Sequence, residues 1–150
     1  MIVVDITLLL AAVNTRAPLH KAAREWWEEQ LNSDATIGLS WLVILGFIRL
    51  TTNAKIMPEP LLLADAIAMV DEWLRRPNVK TVAVTPQHWN ILQNMLHAVG
   101  HGAALTMDAH IACLAIEHDA EIVTVDEDFS HFPGLKWRNP LKPAGEATEG

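Results

Sequence analysis

The sequence predicts an α/β protein, a three-layer α/β/α domain around a mostly parallel sheet of four or five strands. Three observations predict it. Short apolar runs, IVV at residues 2–4 and EIVTV at residues 121–125, read as strands buried on both faces, as in parallel sheets. Amphipathic segments of helical period separate such runs. Two of the runs lead directly into acids, Asp5 and Asp126, and ligands in parallel sheets sit beyond the carboxyl ends of the strands.

The elements follow in order. Ile2–Val4 is the first strand, and Thr7–Val13 a helix ending near Asn14. Pro18 suits the first position of a second helix, with Ala22, Ala23, Trp26, Trp27 and Leu31 inward and Glu25, Glu28 and Glu29 outward. Ala35–Leu39 is the second strand, and Ser40 is a good N-cap for a helix over Trp41–Leu50. After MPEP (57–60), residues 62–75 place Leu63, Ala66, Ile67, Val70, Trp73 and Leu74 at i, i+3, i+4 spacing. Val79–Val84 is the third strand. Thr85-Pro86 then supplies a cap and a first-turn proline for a helix to about Ala98, which Gly100 and Gly102 break. Thr106 can cap the next helix, which turns Ile111, Leu114 and Ala115 inward. Glu121–Val125 is the fourth strand and Leu135–Arg138 a short fifth. Residues 1–140 make one domain, and residues 141–150, LKPAGEATEG, have the composition of a disordered tail.

With 150 residues, 51% of them hydrophobic and 19% charged, the chain can bury a core and is not intrinsically disordered. A net charge of −7 argues against simple electrostatic binding of nucleic acid. It does not exclude a nuclease, because acids that hold a cation reverse the local sign. Cys113 is the only cysteine, so there is no internal disulfide and no cysteine zinc site; its helical apolar setting reads as an inert buried thiol. No apolar run reaches membrane-spanning length and no basic segment precedes Asp5, so the expected location is cytoplasmic.

The acids carry the chemistry. Asp5 lies between two apolar segments that should both be buried, and an unpaired buried carboxylate costs several kcal/mol. Asp108 falls in the first turn of a helix, where the dipole favours it, and Asp126 and Asp128 are also ordinary turn residues. Parallel strands would bring Asp5 and Asp126 to one edge of the sheet. Acids that converge without a cationic partner call for a divalent ion, and an oxygen-only set favours Mg²⁺ or Mn²⁺ over zinc. His97 and His101 have zinc-like spacing, but Gly100 interrupts them. His110 reads as a packed or surface histidine. Most of the six tryptophans occupy helical core positions, and a base-stacking role for one of them is open.

Three segments, in this order, resemble the PIN-domain ribonucleases and, within them, the VapC toxins of toxin–antitoxin pairs: IVVDITLLLAAVN, GLSWLVILGFIRLTTN and TMDAHIACLAIEHDAEIVTVDEDFSHFPGLKWRNP. The resemblance implies a PIN-like fold and an acidic pocket that binds Mg²⁺ or Mn²⁺ and hydrolyses RNA phosphodiesters. By motif, Asp5 matches the first acid, Asp108 the third and Asp126 the fourth; these three are the implied metal ligands. Asp128 matches a further acid and completes the catalytic set, and Thr124 matches the hydroxyl residue two before Asp126. Gly46 stands where the family usually has Glu, and Thr7 where it usually has Asn. Arg49, one turn from Gly46, and Thr124 are expected to contact substrate. The implied partners are RNA, a VapB-like antitoxin and a second copy of the chain, with helices 17–31 and 41–50 as candidate contact surfaces. A haloacid-dehalogenase-type phosphatase needs a DxD pair that DIT lacks, and a receiver domain needs an acidic pair and a late lysine. The standing alternative is a catalytically weakened PIN domain that binds RNA or protein.

Overall fold

Five strands form one sheet in the order β3-β2-β1-β4-β5: β1 (Ile2–Val4), β2 (Ile37–Ser40), β3 (Val79–Val82), β4 (Glu121–Val123) and β5 (Trp137–Arg138). Every pairing is parallel. The computed structural model describes residues 1–142. Six helices flank the sheet: α1 (Ile6–Val13), α2 (His20–Leu31), α3 (Trp41–Thr51), α4 (Leu63–Arg75), α5 (His88–Val99) and α6 (Leu105–Glu117). Helix α1 packs on both α2 and α3, α3 packs on α4, and α5 packs on α6. The connections β1 to β2 to β3 run one way along the sheet, and the β3 to β4 connection, which carries α5 and α6, runs back the other way. Right-handed crossovers in opposite directions put the two groups on opposite faces, which gives the three layers.

The three central strands, β2, β1 and β4, are buried, whereas the middle of β3 and Arg138 of β5 are exposed. Val3, Val4, Ile37, Leu39, Ile122 and Val123 are wholly enclosed. Gly38 is required by that closeness: a Cβ there would stand 2.6 Å from Val82 Cγ2. On the α1–α4 side, Trp73 holds the layer together, edge-on to Trp27 at 5.4 Å and tilted against Phe47 at 4.7 Å between ring centres.

Several boundaries differ from the sequence reading, each for a local reason. Helix α1 starts at Ile6, with Asp5 as its N-cap. Helix α2 starts at His20, Pro18 and Leu19 being spent in a turn, and buries Ala23, Trp27 and Leu31 while Ala22 faces solvent. Helix α5 starts at His88, after a turn in which the Thr85 hydroxyl accepts from Gln87 N at 3.2 Å and donates to Glu117 Oε1. Thr106 lies inside the first turn of α6 and does not cap it. Ser40 caps α3 as expected, accepting from Val43 N at 3.1 Å. In α4, Leu63 and Ile67 are 57% and 51% exposed although their period matched the buried Ala66, Val70 and Trp73. Of the expected tail, Leu141 packs against the core and Lys142 pairs with Glu127. Residues 143–150 lie outside the described residues.

Candidate metal centre

Strand order places the break between outward-running connections at β1 and β4, and ligands bind at that switch point. Both acids predicted at strand ends are there. Asp5 N donates to Val123 O at 3.0 Å, so the β1–β4 ladder runs right up to the carboxylate.

Asp5 is 3% exposed and is held by hydroxyls. Its Oδ2 accepts from Thr7 Oγ1 at 2.7 Å and from Thr124 Oγ1 at 2.8 Å, and the two hydroxyls lie 3.2 Å apart. Thr124 Oγ1 also accepts from Asp126 N at 2.9 Å, and Asp126 Oδ1 accepts from Asp128 N at 2.9 Å. One relay therefore links all three acids of the two strand ends. It leaves Asp5 Oδ1 without a hydrogen bond among the described residues. Thr124, expected to contact substrate, is wholly buried, with its oxygen shared between Asp5 and Asp126.

Asp108 arrives from the first turn of α6. One carboxylate oxygen each from Asp108, Asp126 and Asp128 lies within 4.8 Å of the others. Asp5 is not a member of this triad, but it lines a recess of about 200 Å³ beside Asp108, together with Ile6, Gly46, Arg49 and Met107. No ion pair among the described residues involves any of the four acids. Burial and then the charges of Asp5, Asp126 and Asp128 push the Asp108 carboxyl up to about 6. Three oxygens within 4.8 Å of one another suit a hard divalent ion, whose octahedral shell takes carboxylates together with water and phosphate oxygens. Arg49, exposed in the last turn of α3, is the cation at the mouth of the recess.

Over residues 2–135 the chain matches the PIN domain family. It is 44% identical over 142 residues to Ribonuclease VapC33 of Mycobacterium tuberculosis, covering 95% of this chain and 99% of that relative. This chain belongs to the VapC branch of the PIN-domain family. Ribonuclease VapC37 of the same organism is 42% identical over 140 residues, 93% of this chain and 97% of the relative. Among solved structures, VapBC2 from Rickettsia felis, bound to a DNA fragment from its promoter, aligns with a TM-score of 0.66 at 19% identity. That alignment covers 93% of this chain and 98% of the other. Mycobacterium tuberculosis VapC20, described as a sarcin–ricin loop cleaving toxin, aligns with a TM-score of 0.65 at 17% identity, covering 91% and 99%. At those identities the structures speak for the PIN fold alone.

Two features of this PIN domain were not legible in its sequence. At Gly46, where the family usually carries Glu, a Cβ would stand 2.7 Å from Ile6 Cδ1, so Ile6 has taken the room on that side. Between the start of α5 and α6 lies a half-buried chain of polar groups: Glu117 Oε1 accepts from Thr85 Oγ1 at 2.5 Å, Glu117 Oε2 meets His88 Nδ1 at 2.6 Å, and His88 Nε2 meets His110 Nδ1 at 2.8 Å. His110 is thus packed. Burial, reinforced by His88, lowers its pKa. Burial and Glu117 push the Cys113 thiol up to about 11, the inert state expected of it. His97 and His101 do not share a helix face, because Gly100 ends α5 at φ +83°.

Proposed function

We propose that this chain is a Mg²⁺- or Mn²⁺-dependent endoribonuclease, the toxin of a VapBC-type pair, which hydrolyses RNA phosphodiesters in the cytoplasm and so inhibits translation or growth. The observation that carries the reading is the unpaired acid triad at the switch point, with Asp5 behind it and Arg49 at its mouth. Asp108, Asp126 and Asp128 would hold the ion on their converging oxygens, with Asp5 in the recess beside Asp108. Bound there, the ion supplies a nucleophilic water at neutral pH and offsets charge on the scissile phosphate. Thr7 and Thr124 fix the direction of the Asp5 carboxylate, and the Thr124–Asp126 and Asp126–Asp128 bonds fix the loop that presents the other two acids. Arg49 would anchor the RNA backbone.

Relatives named VapC and a neighbour solved as a VapBC assembly support a cognate antitoxin as partner. A net charge of −7 suits a basic antitoxin segment lying over the acids, and homodimers or toxin–antitoxin hetero-oligomers are the expected assemblies. Among the described residues no helix is long and apolar enough to cross a membrane.

Gly46 favours one other reading, a weakened PIN domain that binds RNA without cutting it. Purified protein incubated with total cellular RNA and Mg²⁺, Mn²⁺ or EDTA, beside an Asp5→Asn/Asp126→Asn variant, separates the two. Discrete metal-dependent cuts that the variant lacks are expected. Intact RNA in every lane, from folded and antitoxin-free protein, would decide for the binding module.

A further inference from the structure

The first turn of α6 separates two depressions. Met107 and Asp108 line the recess of the metal centre. The residue before them, Thr106, lines a second groove of about 400 Å³ between α5 and α6, walled by Trp89, Gln93, Leu96, His97 and His101. Trp89 is 66% exposed, more than any other tryptophan, and stacks on no aromatic ring among the described residues. Trp89, Gln93 and His97 follow one another at i, i+4 along α5, so a flat ring, an amide and an imidazole form one line. The chain carries 18 acids, yet no carboxylate lines this groove.

A polyanion approaching a protein of net charge −7 is repelled by most of its surface. This groove offers donors and an uncovered aromatic face instead, and it continues the acid site through three successive residues. Unpaired bases stack on such rings with little regard to sequence, whereas a duplex hides its base faces. We propose that the α5–α6 groove is an RNA subsite: it holds the single strand beside the scissile phosphate, with one base stacked on Trp89 and with Gln93, His97 and His101 toward the base edges and backbone. The inference rests on the ribonuclease reading above and adds to it where the strand lies.

The test measures fluorescence anisotropy of labelled, unstructured oligoribonucleotides of about four and about twelve residues, within the site sizes such grooves span. The Asp126→Asn protein with Mg²⁺ serves as the non-cutting parent. Adding Trp89→Ala is expected to weaken the longer oligonucleotide about tenfold and the shorter one less, with Trp89→Phe retaining most of the affinity. Trp41→Ala, at an exposed tryptophan outside the groove, should bind as the parent does. Because Trp89 is exposed, the variant should keep the parent's melting temperature, which excludes unfolding as the cause. Equal affinity of parent and Trp89→Ala for the longer RNA overturns the subsite. So does a loss of antitoxin affinity in Trp89→Ala without any loss of RNA affinity, which would make the groove a protein-docking face. Cutting of the short oligonucleotide by the unaltered chain tests the ribonuclease reading separately.

Discussion

As the pH falls, a carboxyl pushed up to about 6 takes up its proton in the folded protein well before it does so in the unfolded chain, since its ordinary value is 3.8. For Asp108 the sign follows directly. Metal-free stability contributed by this group rises as the pH falls from above 6 toward 3.8, and apparent metal affinity falls over the same interval because ion and proton compete. Titration of Mn²⁺ by calorimetry at a series of pH values checks the second statement; an affinity flat across pH 6 would contradict it. Asp108→Asn removes the repulsion together with the ligand. It should raise stability in EDTA by about 1 kcal/mol, allowing for solvent screening, and lower metal-dependent cleavage about 100-fold or more. Thr124→Val should act the other way. It strips Asp5 of a donor and leaves Asp126 N unpaired, costing about 1–3 kcal/mol in urea unfolding and about 10- to 100-fold in cleavage, with Thr124→Ser restoring most of both. Gly46→Glu needs room from Ile6, so paired with Ile6→Ala it should tighten Mn²⁺ binding relative to Ile6→Ala alone.

At the scale of elements, a polar network joins the start of α5 to α6, through His88, His110 and Glu117. Burial alone would raise the Glu117 carboxyl, but the hydrogen bonds from Thr85 and His88 outweigh it and hold the group below the ordinary carboxylate range. Its contribution is therefore present above the unfolded value and is lost as pH falls through the lower folded one. Glu117→Ala should cost about 2–3 kcal/mol near neutral pH, less in acid, and the difference should show in chemical unfolding at the two pH values. None of this was legible in the sequence. His88 and His110 come from different helices, and no local spacing announces that they meet. The same holds for Thr7 and Thr124. The sequence marked Asp5 as a buried acid needing an explanation, but the explanation is a hydroxyl 119 residues away. What was legible was short-range: strand ends carrying acids, the Ser40 cap and the inward stripe of α2. The outward turn of Leu63 and Ile67 shows the limit of period alone, because an apolar stripe can be wider than the surface available to cover it.

For the whole molecule, the candidate metal centre joins the two halves of the sheet: the end of β1 and α1 give Asp5 and Thr7, the turn after β4 gives Thr124, Asp126 and Asp128, and α6 gives Asp108. An ion bound across these parts stabilises only the assembled fold. Mg²⁺ or Mn²⁺ at about 100 times its dissociation constant should add about 2.7 kcal/mol, and EDTA should remove it. Thermal unfolding with and without metal measures the difference.

The central position of β1 has a further consequence, for biosynthesis. Residues 2–4 are made well before their β4 neighbours, residues 121–123. During synthesis that pairing waits until residue 121 and those after it have been added. A chain cut short before residue 121 keeps β1, β2 and β3 but lacks the strand that closes the centre and the turn that carries two of the four acids. Such a fragment has no assembled acid site. Truncated or half-made copies of this protein should therefore be harmless to the cell that makes them.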